Sequence, residues 1–201
     1  RKDRCKPKRA GILQAAADLF IQHGYDGTNT EMIAEKAGVS RQTIYNQFES
    51  KEALFVAITF DLVDEAIAPL AEAVENADDM RETLLALGHR ILARLLCPKT
   101  SALYRLAVTE AHRFPELGRS IYEAGPVNAE SAVASYLGRQ EQLQISDAQL
   151  AARQFLALVV HPYEFKIQLG IVTDIDAPEV LNMLNAAVDM FLRAYHRSGH
   201  D

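Results

Sequence analysis

Cysteine is scarce: Cys5 and Cys97 are the only two in 201 residues, far apart and outside any CxxC or Cys/His ligand spacing. That excludes a disulfide scaffold and a zinc finger. Cys97 closes an apolar run just before Pro98, where a small buried hydrophobe is the ordinary expectation. No uninterrupted apolar run reaches membrane-spanning length, so no membrane association is expected. The basic opening, Arg1 to Arg9, leads into a helical segment containing Gln14 and Asp18 rather than a signal-peptide core. A cytoplasmic protein is therefore expected, and the start without Met reads as a trimmed one. GxSxG, P-loop, HExxH and strand-borne GxGxxG motifs are all missing. Glu110 and His112 are two apart and point to different sides of a helix, while His161 and Glu164 make no metal site without distant partners. No catalytic residue, metal or cofactor is expected, and an enzyme or a helical adaptor is a poorer reading than the one below.

What is present is apolar material, 49% of the chain, ample for a buried core. The formal net charge of -6 is unevenly spread. Residues 1–52 hold nine Lys/Arg against seven Asp/Glu, whereas the remainder holds twelve against twenty. The first eight residues, RKDRCKPK, alone carry +4. Positive charge gathers where phosphates would be met, and the acidic body would repel them.

Strand-type alternation is absent and helical periodicity dominates, which predicts an all-α protein of about nine or ten helices. Ile12, Ala16, Leu19, Phe20 and His23 form one apolar stripe over residues 9–23, closed by Gly24. Thr28 with Glu31 reads as a capping box opening a second helix that ends near Ala37. Gly38 makes the turn, Ser40 caps a third helix, and Ser50 caps a fourth running from Lys51 to about Ala68. Further starts are expected at Asp78 or Asp79, at Thr100 or Ser101 after a stop at Pro98, and at Pro115. Gly125-Pro126 should bend the chain, and capping boxes at Ser146/Gln149 and Asp176/Glu179 open the last two long helices.

The stretch from Ala34 to Lys51, AEKAGVSRQTIYNQFESK, carries the chemistry. A helix-turn-helix needs a small residue at the helix crossing, a turn residue tolerant of positive φ, and apolar residues pinning the second helix. Ala34, Gly38 and Ile44 supply these, with Val39 and Phe48 adding core. The Ser40 cap puts Arg41, Gln42 and Thr43 in the first helical turn, the end that meets base edges. Arg41 can donate bidentately to guanine and Gln42 can pair with adenine. Tyr45, Asn46 and Gln47 can bond bases or phosphate, and Lys51 opens a helix whose N-terminus favours phosphate.

Over roughly residues 9–58, GYDGTNTEMIAEKAGVSRQTIYNQFESKEALF and its preceding helix resemble the N-terminal domain of tetracycline-repressor-like (TetR) regulators. The resemblance implies a ligand-responsive regulator, usually a repressor, that binds a palindromic operator in double-stranded DNA as a homodimer. Each subunit would place residues 40–47 in a major groove. By position, Thr30, Arg41, Gln42, Thr43, Tyr45, Asn46 and Lys51 fall where members commonly contact DNA. Gln42 departs from the small residue or Pro often found there. LYRLAVTEAHRFPELGRSIYEAG resembles the C-terminal domain of the AefR-like subgroup, which implies a helical regulatory domain with a ligand cavity and dimerisation through the last two helices. The expected organisation is a basic flexible tail at 1–8, a three-helix helix-turn-helix domain at 9–52, and a helical bundle for ligand binding and dimerisation at 53–201.

The residues agree in part. The helix near 147–169 is apolar nearly all round, so it needs cover on several sides, and the final helix would pack beside it. Pro162 is expected to kink the first of these. Phe60, Leu92, Tyr104, Phe155, Val159 and Tyr163 are the candidates for lining a cavity, with Phe114 and Tyr122 as further aromatics. Arg105, Glu110, His112 and His161 stand out as polar groups in apolar helices. Together they imply a small apolar or amphipathic effector with a polar handle.

Overall fold

The computed structural model describes residues 5–61 and 79–196, and every regular element within them is helical. Two compact units are formed, one from residues 1–62 with 98–125 and the other from 63–97 with 126–201. Residues 98–125 thus pack with the helix-turn-helix, a grouping that the expected functional boundary at 52/53 does not contain. Among the described residues no helix is long and apolar enough to cross a membrane.

In the first unit α1 spans Cys5–His23, so it starts four residues before Arg9 and takes in half of the expected tail. Ile12, Ala16, Leu19 and Phe20 are buried as expected, whereas His23 faces solvent in the last turn, where the helix dipole favours a cation. Gly24 follows at φ 75°, and its N–H donates to the Phe20 carbonyl over 2.9 Å.

The second helix, α2 (Thr30–Ala37), is capped by Asn29, not by Thr28: the Asn29 carboxamide accepts from Met32 N at 3.0 Å. Thr28 is buried, and its hydroxyl turns back to the carbonyls of Leu19 (3.1 Å) and Gly24 (2.8 Å) at the end of α1. The hydroxyl is therefore spent on the end of α1, which leaves the cap of α2 to Asn29. Gly38, at φ 65°, ends α2 with paired bonds from Gly38 N to Glu35 O and from Val39 N to Ala34 O. Next, α3 (Arg41–Tyr45) opens at Ser40, and α4, described over 51–61, opens at Ser50, whose Oγ accepts from Ala53 N at 3.1 Å. The expected continuation of α4 to Ala68 lies outside the described residues.

Pro98 does not merely stop the preceding helix but is itself the first residue of α6 (Pro98–Glu110), where its missing N–H is no loss. With α7 (Pro115–Tyr122) it completes the unit's core. Phe20, Tyr25 and Phe55 pack within 5.4–5.8 Å of one another, and Phe114 lies 5.0 Å from Tyr25. Leu103, Ala107 and Leu117 are buried in the same cluster.

The second unit contains α5 (Met80–Leu96), α8 (Asn128–Leu137), α9 (Ala148–Gln168) and α10 (Pro178–Tyr195). Asp79 caps α5, and Gly125-Pro126 falls in a π-helical turn, Glu123–Val127. Asp147 rather than Ser146 caps α9, accepting from Leu150 N at 3.0 Å. Asp176 does not cap α10, because its carboxylate meets His89 Nε2 at 2.8 Å; Pro178 starts that helix without a side-chain cap. α9 runs on through Pro162, burying Ala151, Ala152, Phe155, Val159, Tyr163 and Ile167 along one stripe. At Gly88 of α5 an added Cβ would lie 2.6 Å from Leu184 Cδ1 and 3.2 Å from Val159 Cγ1, so α5, α9 and α10 meet closely there.

Candidate nucleic-acid interface

Burial decides which face of α3 is presented. Ile44 and Phe48 insert beside Ile33 and Ala34 of α2, and this leaves Arg41, Gln42, Tyr45 and Asn46 exposed. The short helix owes its start to Ser40, whose Oγ accepts from Thr43 N at 3.2 Å and lies 2.9 Å from Thr43 Oγ1. Thr43 is consequently half-buried and engaged in the cap.

The exposed groups are also joined to one another. Gln42 Nε2 donates to Asn46 Oδ1 at 2.9 Å, one helical turn away. Tyr45 Oη lies 3.1 Å from Thr30 Oγ1, which also reaches Glu31 Oε2 at 3.4 Å. The other Glu31 oxygen forms an ion pair with Arg41. Six of the seven residues expected at DNA therefore sit on, or directly beside, one face of the α2–α3 pair.

Lys51 is placed differently. Its ammonium is half-buried, donates to the carbonyls of Tyr25 (2.8 Å) and Thr28 (3.1 Å), and lies 4.2 Å from the Tyr25 ring centroid. Two of its three donors hold the α1–α2 loop against the start of α4, which leaves one for a phosphate. Beneath it, the Tyr25 hydroxyl is buried without a hydrogen-bond partner. Burial first, then the nearby Glu52 carboxylate, push this phenol far above its ordinary pKa. The Glu52 carboxyl is held below the usual range, chiefly by the Ser50 hydroxyl. Sequence reasoning missed Glu31, Asn29 and Tyr25 here. Locally Glu31 reads as the far end of a capping box, and nothing in the spacing of residues 31 and 41 identifies them as partners.

The six residues expected at an effector site are divided between the units. Leu92, Phe155, Val159 and Tyr163 are buried together in the core of the second, whereas Phe60 (exposed) and Tyr104 (half-buried) belong to the first. Two surface concavities are formed by other residues, one around Leu137, Glu141 and Ile145, the other around Ala157, His161, Met190 and Ala194. Of the polar groups, Arg105, His112 and His161 are exposed and Glu110 is half-buried. The second concavity lies on an uncovered apolar face of α9 and α10, where Phe165, Met183 and Met190 are 71%, 46% and 53% exposed.

The family model described as bacterial regulatory proteins, tetR family, matches residues 12–58. The AefR-like transcriptional repressor C-terminal domain matches residues 82–197. The HTH-type transcriptional regulator RutR of Escherichia coli (strain K12) is 48% identical over 63 residues, which is 31% of this chain and only 30% of that relative. UidR of the same strain, also an HTH-type transcriptional regulator, is 26% identical over 87% of this chain and 85% of its own length. Among solved structures, a TetR-family transcriptional regulator from Mesorhizobium loti MAFF303099 superposes with a TM-score of 0.79 at 31% identity, covering 96% of this chain and 99% of that one. The flavonoid-responsive regulator FrrA gives 0.77 at 29% identity, covering 96% and 100%.

Proposed function

The chain belongs to the tetR family of bacterial transcriptional regulators, with an AefR-like C-terminal domain, and from that premise we propose that it represses by binding a palindromic operator as a homodimer and lets go when a small effector binds. Residues 9–52 would bind DNA, and residues 53–201 would hold the effector and the dimer contact.

The observation that carries the DNA reading is the exposed set Arg41, Gln42, Tyr45 and Asn46 on a Ser40-capped helix pinned by Ile44 and Phe48. Arg41 and Gln42 read bases, while Thr30, Thr43, Tyr45, Asn46 and the remaining donor of Lys51 hold the backbone or neighbouring edges. The dimer reading is supported by the uncovered apolar face of α9 and α10, since a solvent-facing Phe beside two Met is a common mark of an interface. FrrA, flavonoid-responsive and alike over nearly the whole chain, supports a mainly apolar effector with polar handles. Phe60, Leu92, Tyr104, Phe155, Val159 and Tyr163 are the residues proposed to meet it.

Selection of duplexes from a randomised pool by the full-length chain tests the central reading. A palindromic sequence should be enriched, and Arg41→Ala should weaken the selected duplex by about 1–3 kcal/mol while relaxing preference at one base position. Lack of any enrichment overturns it. Effector release is checked by adding a panel of flavonoids to the preformed complex and following anisotropy.

A further inference from the structure

Glu31 sits where a DNA-binding surface would be expected to avoid an anion. It lies in the first turn of α2, 48% exposed by its side chain, and it pairs with Arg41, which is 58% exposed. Arg41 is the only cation in α3. An ion pair this open to solvent contributes little to folding stability, so stability does not account for it.

The pair is built rather than casual. Tyr45 Oη and Thr30 Oγ1 are 3.1 Å apart, Thr30 Oγ1 reaches one Glu31 oxygen at 3.4 Å, and the other Glu31 oxygen takes Arg41 Nη2. Tyr45 donating to Thr30 lets Thr30 donate to Glu31, so each hydroxyl proton has a use and the carboxylate is held from behind. Two consequences follow for Arg41. Its guanidinium carries five donors in a planar fork, and one end is anchored at Nη2 on a side chain that is 58% exposed, which leaves the remaining donors to a ligand. Its charge is also compensated at close range, so a phosphate approaching Arg41 meets the Glu31 carboxylate. A guanine edge, being uncharged, meets only the remaining donors.

We infer that Glu31 is a specificity-determining positioning residue: it aims Arg41 at a base edge and denies Arg41 to phosphate. This rests on the DNA reading above and adds to it a repulsive element against the wrong contact, the usual complement of an attractive one.

The test uses the full-length chain, the duplex it selects from the randomised pool, and a scrambled duplex of the same length and composition. Affinities for both are measured across a salt series by fluorescence anisotropy, with circular dichroism confirming the fold of each variant. Glu31→Gln keeps the shape and removes the charge. It should tighten the scrambled duplex on the order of tenfold and steepen the salt dependence by about 0.9 for each subunit engaged, the increment for one added phosphate contact. The ratio of selected to scrambled affinity should fall accordingly. Glu31→Asp, which retains the charge, should restore the parent's salt slope. In an Arg41→Ala background the effect of Glu31→Gln should vanish. If Glu31→Gln moves both affinities alike or leaves the slope unchanged, the assigned role is overturned. If its effect persists without Arg41, Glu31 repels phosphate by itself and the positioning role falls. A parent chain that enriches no duplex removes the DNA reading and this inference together, whereas any failure after successful enrichment removes this inference alone.

Discussion

At the scale of single residues, Tyr25 shows how far burial can take a side chain from its solution behaviour. Its ring is fully buried among Phe20, Phe55 and Phe114, with the Lys51 ammonium on its face. The hydroxyl is buried without a hydrogen-bond partner, so Tyr25→Phe should be neutral or stabilising at pH 7, because no satisfied bond is lost. The alkaline response should change. A phenol whose pKa is raised on folding contributes stability that is present below the unfolded value, about 10, and is lost as the pH climbs beyond it. Urea unfolding between pH 7 and 11 should therefore show a steeper alkaline loss for the parent than for Tyr25→Phe; parallel curves would contradict this account. The exposed face of α3 was legible in the sequence because Ser40, Gly38 and Ile44 tie its residues to helix geometry. Their partners were not. The Thr30–Tyr45 and Glu31–Arg41 contacts join side chains 15 and 10 positions apart, which no helical period relates.

At the scale of elements, existence and order were readable while boundaries slipped by one residue where two good capping side chains adjoin. Thr28 and Asn29 compete at α2, and Ser146 and Asp147 at α9. Burial of the Thr28 hydroxyl on the end of α1 settles the first contest, and that is a tertiary fact no local pattern contains. Two glycines make the same distinction quantitatively. At Gly38 an added Cβ has nothing within 4 Å, so Gly38→Ala is penalised only by φ 65° and should cost about 1–2 kcal/mol. Gly88 has ordinary helical backbone but no room, and Gly88→Ala should cost about 1–3 kcal/mol through displaced Leu184 and Val159. Enlarging a neighbour separates the mechanisms. Adding Leu184→Ala should recover part of the Gly88→Ala loss in a double-mutant unfolding cycle and should do nothing for Gly38→Ala.

At the scale of the whole molecule, the exposed face of α9 and α10 carries the proposed association. Met190 is 53% exposed, so Met190→Glu should leave the fold of a single chain nearly untouched yet place a charge in the middle of the proposed contact. Sedimentation equilibrium at micromolar concentration should show the parent as a dimer and the variant as a monomer, and operator affinity should fall with it. A monomeric parent would defeat the idea. The surplus of apolar positions on these helices was visible in the sequence. The allegiance of residues 98–125 was not, since Leu103, Ala107 and Leu117 join Phe20 and Phe55 from roughly fifty to a hundred positions away. That allegiance also sets an order of events during synthesis. When residue 62 leaves the ribosome the helix-turn-helix has all its own residues but lacks one wall of its core, and α5, which belongs to the other unit, is made before that wall. At bacterial elongation rates of about 5–20 residues per second, the missing wall arrives about 3–13 s later. For that interval the nascent chain carries a helix-turn-helix that is complete in sequence and incomplete in packing.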